Sequence, residues 1–230
     1  MTEPLMIGTR GWNHTSGGDF YPSELPEDWR FCFYSNNLRS VLVPQELWVE
    51  TKRADVAQWL EDSDPAFRFV LELPATLGLP LTHGKRDRAL AQFLGTLEPI
   101  ALRTAGLLLR IAPDTEVLPD WFEHLLNRLA DIAPSCVDLP GGPWRAPLVY
   151  AALERQGAGL AWHCAREAAP HPDGRLMVAL APPAPAREVR RFIERLAQWQ
   201  GQDGLAGLFF DAGAAKAAQE ARLIAELMGV

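Results

Sequence analysis

A chain of 230 residues, 48% hydrophobic and 22% charged, has the length and composition of a folded globular protein and excludes disordered and fibrous classes. Its net charge of −7 sets the whole-molecule field against nucleic acid and anionic membrane, so neither is an expected partner. No apolar run reaches the roughly 20 residues of a membrane helix, and "MTEPLMIG" lacks the basic and long apolar regions of a secretory signal, which makes the cytoplasm the expected location.

Short apolar runs and helix-period segments then alternate along the chain. "PLMIG" (4–8) predicts the first strand, and "PSELPEDWRFCFYS" (22–35) must supply the first helix. "RSVLV" (39–43) is followed by "RADVAQWLEDS" (53–63), which puts Val56, Trp59 and Leu60 on one face. "FRFVLEL" (67–73) leads to a helix over 86–102 carrying Leu90, Phe93, Leu94 and Leu97. "AGLLLRI" (105–111) precedes a helix over 119–133 that opens on Pro119 and Asp120. "SCVDL" (135–139) leads to a helix over 145–157 that closes on Gly157. "AGLAWHC" (158–164) and "RLMVALA" (175–181) follow, then a Pro-rich bend at 181–186 and a helix over 186–201. "LAGLFFD" (205–211) and a helix over 213–229 end the series.

Each run is strand-length and apolar on both faces, as strands covered by helices are. Eight such units predict an α/β fold, a single-domain (β/α)8 TIM-type barrel spanning 1–230. An open doubly wound sheet would carry a Gly-rich nucleotide turn, and there is none. Cys32, Cys136 and Cys164 are odd in number and widely spaced, which predicts buried thiols rather than a disulfide framework.

Ligands of such a barrel meet the C-terminal strand ends and the loops after them. There the chain places Arg10, Trp12, Asn13 and His14 after the first strand, Glu46 after the second and Glu72 on the third. Arg110, Asp138, His163 and Asp211 lie at later strand ends, and Thr82 and His83 precede the third helix. Glu72 and Asp138 with His83 or His163 would supply the groups of general acid–base catalysis. A divalent metal would need Glu72, Asp138, His163 and Asp211 to converge, although strand alternation turns about half of such side chains away from the axis. Trp12, Trp48 and Trp144 offer ring faces, and Arg10, Asn13, His14, Arg110 and Asp211 offer polar contacts, to a small polar or aromatic ligand. Pro182, Pro183 and Pro185 have no N–H to donate, so the loop after the seventh strand is not a phosphate gripper.

"IGTRGW" at 7–12 with "FYP" at 20–22 resembles the IGTSGW…FYP opening of the YecE-like proteins, the family labelled domain of unknown function 72. The resemblance continues through "FRFVLELP" (67–74), "TH" (82–83), "AGLLLRIAP" (105–113), "PW" (143–144) and "LFFDAGAAKAAQEA" (208–221). It implies a TIM barrel without an established activity and with family-level suggestions of nucleic-acid or phosphate handling. It also implies a polar mouth from which this chain departs. Leu42 stands for an acid, Pro44 for an amide and Trp48 for a tyrosine, while Glu72 replaces a lysine and Arg110 a glutamine. Pro140 and Gly141 replace an Arg–His pair, Ala179 an arginine, and Asp211 with Ala212 a pair of asparagines.

Two readings follow. One is a binding or scaffolding barrel without the family's polar groups, taking a small ligand or a protein partner. The other is a remodelled hydrolase or lyase working through mouth carboxylates and a histidine, with or without a divalent metal.

Overall fold

Apolar runs bounded by proline and glycine form the strands, and the amphipathic runs between them form the helices. The computed structural model describes residues 4–13, 20–80, 82–201, 204–211 and 213–230, His83 by its backbone alone. The strands are β1 (Met6–Thr9), β2 (Ser40–Val43), β3 (Arg68–Glu72), β4 (Thr104–Arg110) and β5 (Ser135–Asp138). They continue as β6 (Gly159–Leu160), β7 (Trp162–His163), β8 (Leu176–Ala181) and β9 (Leu205–Phe210). The sixth expected strand is thus divided at Ala161 into β6 and β7. The helices are α1 (Arg30–Asn37), α2 (Arg53–Glu61), α3 (His83–Leu97), α4 (Pro119–Ala130), α5 (Pro147–Gln156), α6 (Ala186–Gln200) and α7 (Ala215–Met228). The first helix starts later than its sequence predicts, because Pro26 holds an extended backbone and only a 3-10 turn, Glu27–Trp29, precedes α1.

All ladders are parallel, in the orders β1-β9-β8-β7 and β2-β3-β4-β5-β6. Two seams join these sheets. At one, Ala161 donates to the Val137 carbonyl at 2.9 Å while His163 pairs with Leu180 of β8, so one short segment serves both ladders. At the other, β1 meets β2 through the bridge Arg10–Leu42, with Gly11 N–H donating to Leu42 O at 2.8 Å. Below that bridge the Tyr34 hydroxyl fills the gap: it accepts from Thr9 N–H at 2.8 Å and donates to Ser40 O at 2.9 Å. Gly159 is required where β6 passes β8, since a Cβ there would lie 1.9 Å from the Leu176 carbonyl oxygen.

Two apolar layers result. Met6, Leu42, Val70, Leu108, Cys136, Ala161, Val178 and Phe209, from successive strands, form one cluster inside the ring. The larger cluster joins the outer strand faces to the helices. The inward parity decides what stands at the mouth. Two residues beyond Val70, Leu108, Cys136 and Ala161 come Glu72, Arg110, Asp138 and His163, and Arg10 shares the parity of Met6. Alternation therefore turns none of these five outward.

Candidate functional site

The five inward groups, with Glu46 from the turn after β2, form one continuous charged arc along the C-terminal strand ends. Arg10 Nη2 donates to both oxygens of Glu46, at 2.8 and 2.6 Å, and to Glu72 Oε2 at 2.8 Å, while its Nε reaches Glu72 Oε1 at 2.6 Å. Glu72 is 0% exposed and also accepts from Arg110 Nε at 3.1 Å and from the backbone N–H of Gln45 at 3.1 Å. Arg110 Nη1 continues to Asp138 Oδ2 at 3.1 Å, and His163 Nε2 lies 2.8 Å from Asp138 Oδ1. An ionised carboxylate only accepts, so the His163 hydrogen sits on Nε2 and points at Asp138. Burial without this pairing would be prohibitive, and the pairing is complete.

Burial alone would push the Asp138 carboxyl up, but the hydrogen bond and charge of His163, with the charges of Arg110 and Arg145, hold it below the usual carboxylate value. Glu46 is held low by Arg10 against its own burial in the same way. A depressed folded value contributes stability above the unfolded value, about 3.9 for Asp, which is lost as pH falls through the folded one. Asp138→Asn is therefore expected to lower the urea midpoint at pH 7, with a deficit that shrinks below about pH 4. A deficit equal at both pH values would refute the charge pairing as its source.

The other expected site residues are dispersed. Trp12 is 5% exposed and packs between Phe31 and Trp59, at ring separations of 4.7 and 4.9 Å. Trp144 is 1% exposed, donates its indole N–H to Thr115 O at 2.7 Å and packs on Phe122 at 5.2 Å. Neither ring has a face free at the mouth, because each serves the layer between strands and helices. Trp48 is half-buried, its Nε1 donating to the Glu72 carbonyl at 2.6 Å, with Phe93 at 5.1 Å. It lines a groove of about 470 Å³ with Glu46, Pro74 and Phe93, so the groove adjoins the arc at Glu46.

Asn13 and Asp211 are exposed. His14 lies outside the described residues, as does the side chain of His83. Among the described residues no three His, Cys, Asp or Glu side chains gather as a metal site, so Glu72, Asp138, His163 and Asp211 do not converge. Two of the four are already occupied by arginine. Cys136 and Cys164 are free thiols pushed up to about 12 by burial, away from thiolate reactivity.

Sequence reasoning missed a second tier. Glu167 accepts from Arg145 Nη2 at 3.1 Å and from the His163 backbone N–H at 3.3 Å, and its carbonyl accepts from Trp162 Nε1 at 2.9 Å. The signal was an acid four residues beyond His163, inside a loop that carries no helix. The arc also connects the departures from the resembled pattern. Arg10 and Arg110, where the resemblance implies serine and glutamine, both bind Glu72, where it implies lysine.

The family profile described as "Protein of unknown function DUF72" matches residues 6–230. A search of curated proteins finds no significant match. Among solved structures, the chain is similar to a DUF72 family protein from Thermotoga maritima MSB8, with TM-score 0.74 and 14% identity over 99% of this chain and 100% of that one. A DUF72 family protein from Enterococcus faecalis V583 gives TM-score 0.73 and 12% identity, covering 98% of this chain and 96% of the other. A D-psicose 3-epimerase crystallised in the presence of D-fructose shares the fold at TM-score 0.55 and 10% identity, over 100% and 95% of the two chains. Family profile, barrel order and structural neighbours agree: the chain belongs to the DUF72 family, the YecE-like proteins.

Proposed function

We propose that this protein is a single-domain cytoplasmic barrel that binds a small polar ligand at its mouth, through the donors of a charged arc that replaces the family's polar groups. One observation carries the reading: all three carboxylates of the arc, Glu46, Glu72 and Asp138, are already committed to intramolecular partners. A general acid needs a proton affinity raised toward neutrality. Asp138 is held in the opposite direction, and Glu72, enclosed by two guanidiniums and a backbone N–H, has no surface to offer a substrate. Beside the exposed carboxylate of Glu46, what faces the mouth is donors. The side chains of Arg10, Arg110 and His163 are 27%, 29% and 25% exposed, each held from behind by a carboxylate. Such pre-positioned donors suit a ligand that offers carboxylate, carbonyl or hydroxyl oxygens. The groove beside Trp48 gives room for an aromatic or apolar portion. Nucleic acid does not suit the arc, because its arginines are paired with carboxylates; no helix among the described residues is long and apolar enough to cross a membrane.

A second reading has one specific observation in its favour, the Asp138–His163 pair at 2.8 Å. A histidine oriented by a carboxylate is the base half of many hydrolytic sites. Ligand-observed NMR with a panel of hydroxy acids and sugars separates the two. Under the binding reading a compound binds unchanged in structure, and Arg110→Lys, which keeps the charge but loses the fork, weakens it about tenfold. Consumption of the compound, abolished in His163→Gln, would establish the hydrolase or lyase reading instead. Binding indifferent to both substitutions would remove the arc from the site.

A further inference from the structure

The opposite end of the barrel holds a cavity of about 300 Å³, lined where β1, β2 and β3 begin and where α7 ends. Its chemistry inverts that of the whole molecule. In a chain of net charge −7, three arginines, Arg39, Arg68 and Arg222, line this one space, with Glu226 as the single acidic side chain named among the lining residues. Their placement follows from the backbone. Ser40 and Arg68 are register partners at the first position of the β2–β3 ladder, and Arg68 N–H donates to Arg39 O at 3.0 Å. Arg222 and Glu226 lie one turn apart on α7, with Arg222 Nη1 3.6 Å from Glu226 Oε1.

Two groups in this cavity lack the partners their burial demands. Ser40 is 1% exposed and its hydroxyl has no hydrogen-bond partner; the buried Nε of Arg222 has none either. A desolvated hydroxyl left unsatisfied costs about 1–3 kcal/mol, so native proteins rarely leave one without a reason. Arg68 spends one nitrogen on the carbonyls of Pro65 and Phe67, at 3.2 and 3.4 Å. The rest of the lining is apolar residues, Leu5, Met6, Ile7 and Ala225 among them.

We propose that this cavity is a binding site for a small organic oxyanion, a phosphate or carboxylate head on a short apolar stem. Arg39, Arg68 and Arg222 receive the head, the Ser40 hydroxyl and Arg222 Nε find their missing acceptors on it, and the stem lies against Met6, Ile7 and Ala225. The volume lies at the small end of the range for ligand sites, which limits the stem to a few carbons. A cluster of cations with one acid also focuses the local field, drawing an anion to a protein that otherwise repels it.

Isothermal calorimetry at low salt with butyl phosphate, butanoate and inorganic phosphate tests this. At least one of the two stemmed anions is expected to bind more tightly than inorganic phosphate, and which one does identifies the head group. Ser40→Ala, Arg39→Gln and Arg222→Gln should each weaken that binding about tenfold. Arg190→Gln, on the exposed face of α6, should leave it unchanged. Arg39 lies on the surface, so its variant keeps the fold even if a buried substitution does not. No binding of either stemmed anion at millimolar concentration, or binding equal in all four variants, overturns the proposal.

Discussion

Glu72→Lys is expected to cost at least about 3–5 kcal/mol of folding stability, the scale for breaking a buried, paired charge, with like-charge repulsion from Arg10 and Arg110 added. The carboxylate is fully buried and takes four donors from three residues, so a cation in its place meets two guanidiniums and a backbone N–H. The substitution matters because lysine is what the resemblance to the YecE-like pattern implies there. Its cost is therefore a property of this chain's neighbours and not of the barrel. The triple change Arg10→Ser, Glu72→Lys, Arg110→Gln should recover most of the loss, because it replaces the whole set that binds together. Urea denaturation of the single and triple variants decides the matter. A triple variant no more stable than the sum of its parts predicts would mean that the three positions act independently.

Trp144→Ala is expected to destabilise by about 3–5 kcal/mol, the range for deleting a large buried aromatic. Its ring packs against both Trp121 and Phe122 at the start of α4, and its indole N–H closes the loop at Thr115. Trp144→Phe restores most of the volume but orphans the Thr115 carbonyl, for a smaller loss of about 1–2 kcal/mol. Binding at the mouth should survive Trp144→Phe unchanged. If the phenylalanine variant is stable but binds weakly, the ring contacts ligand and the packing account fails. Equilibrium unfolding and ligand titration on the same samples measure both.

The barrel was legible because its signal is repeated. Eight apolar runs of strand length, separated by helix-period segments, leave few arrangements, and Gly157 and Pro119 mark helix ends where expected. The division of the sixth strand was not legible, since "GLAWH" reads as one run and only the change of ladder at Ala161 breaks it. At the mouth, residue types were readable but directions were not. Inward parity depends on where each strand begins relative to its neighbours, and one residue of slip would have turned Glu72 and Arg110 into the helix layer. Trp12 and Trp144 sit in loops by sequence yet serve the core, because loops that cross the strand ends bury their aromatic residues against the helices below. Arg145 and Glu167 come together only through the fold, 22 residues apart in the chain.

The seam between β1 and β2 has a kinetic meaning. The other ladders share four to six pairs, or two at β5–β6 and β7–β8, while here one bridge and one tyrosine hydroxyl hold the edges. Breathing of the barrel, the transient parting of strands that precedes amide exchange, should begin there, with the Gly11 amide, which donates to Leu42 O across this seam, among the faster-exchanging strand-end amides. Directly above, the Arg10 guanidinium reaches past β2 to Glu72 on β3 and spans the weak edge as a brace. A ligand that engaged Arg10 would bear on this seam, and its occupancy would be expected to slow the opening. The proposed binding edge of this barrel and its most lightly laddered seam meet at Arg10.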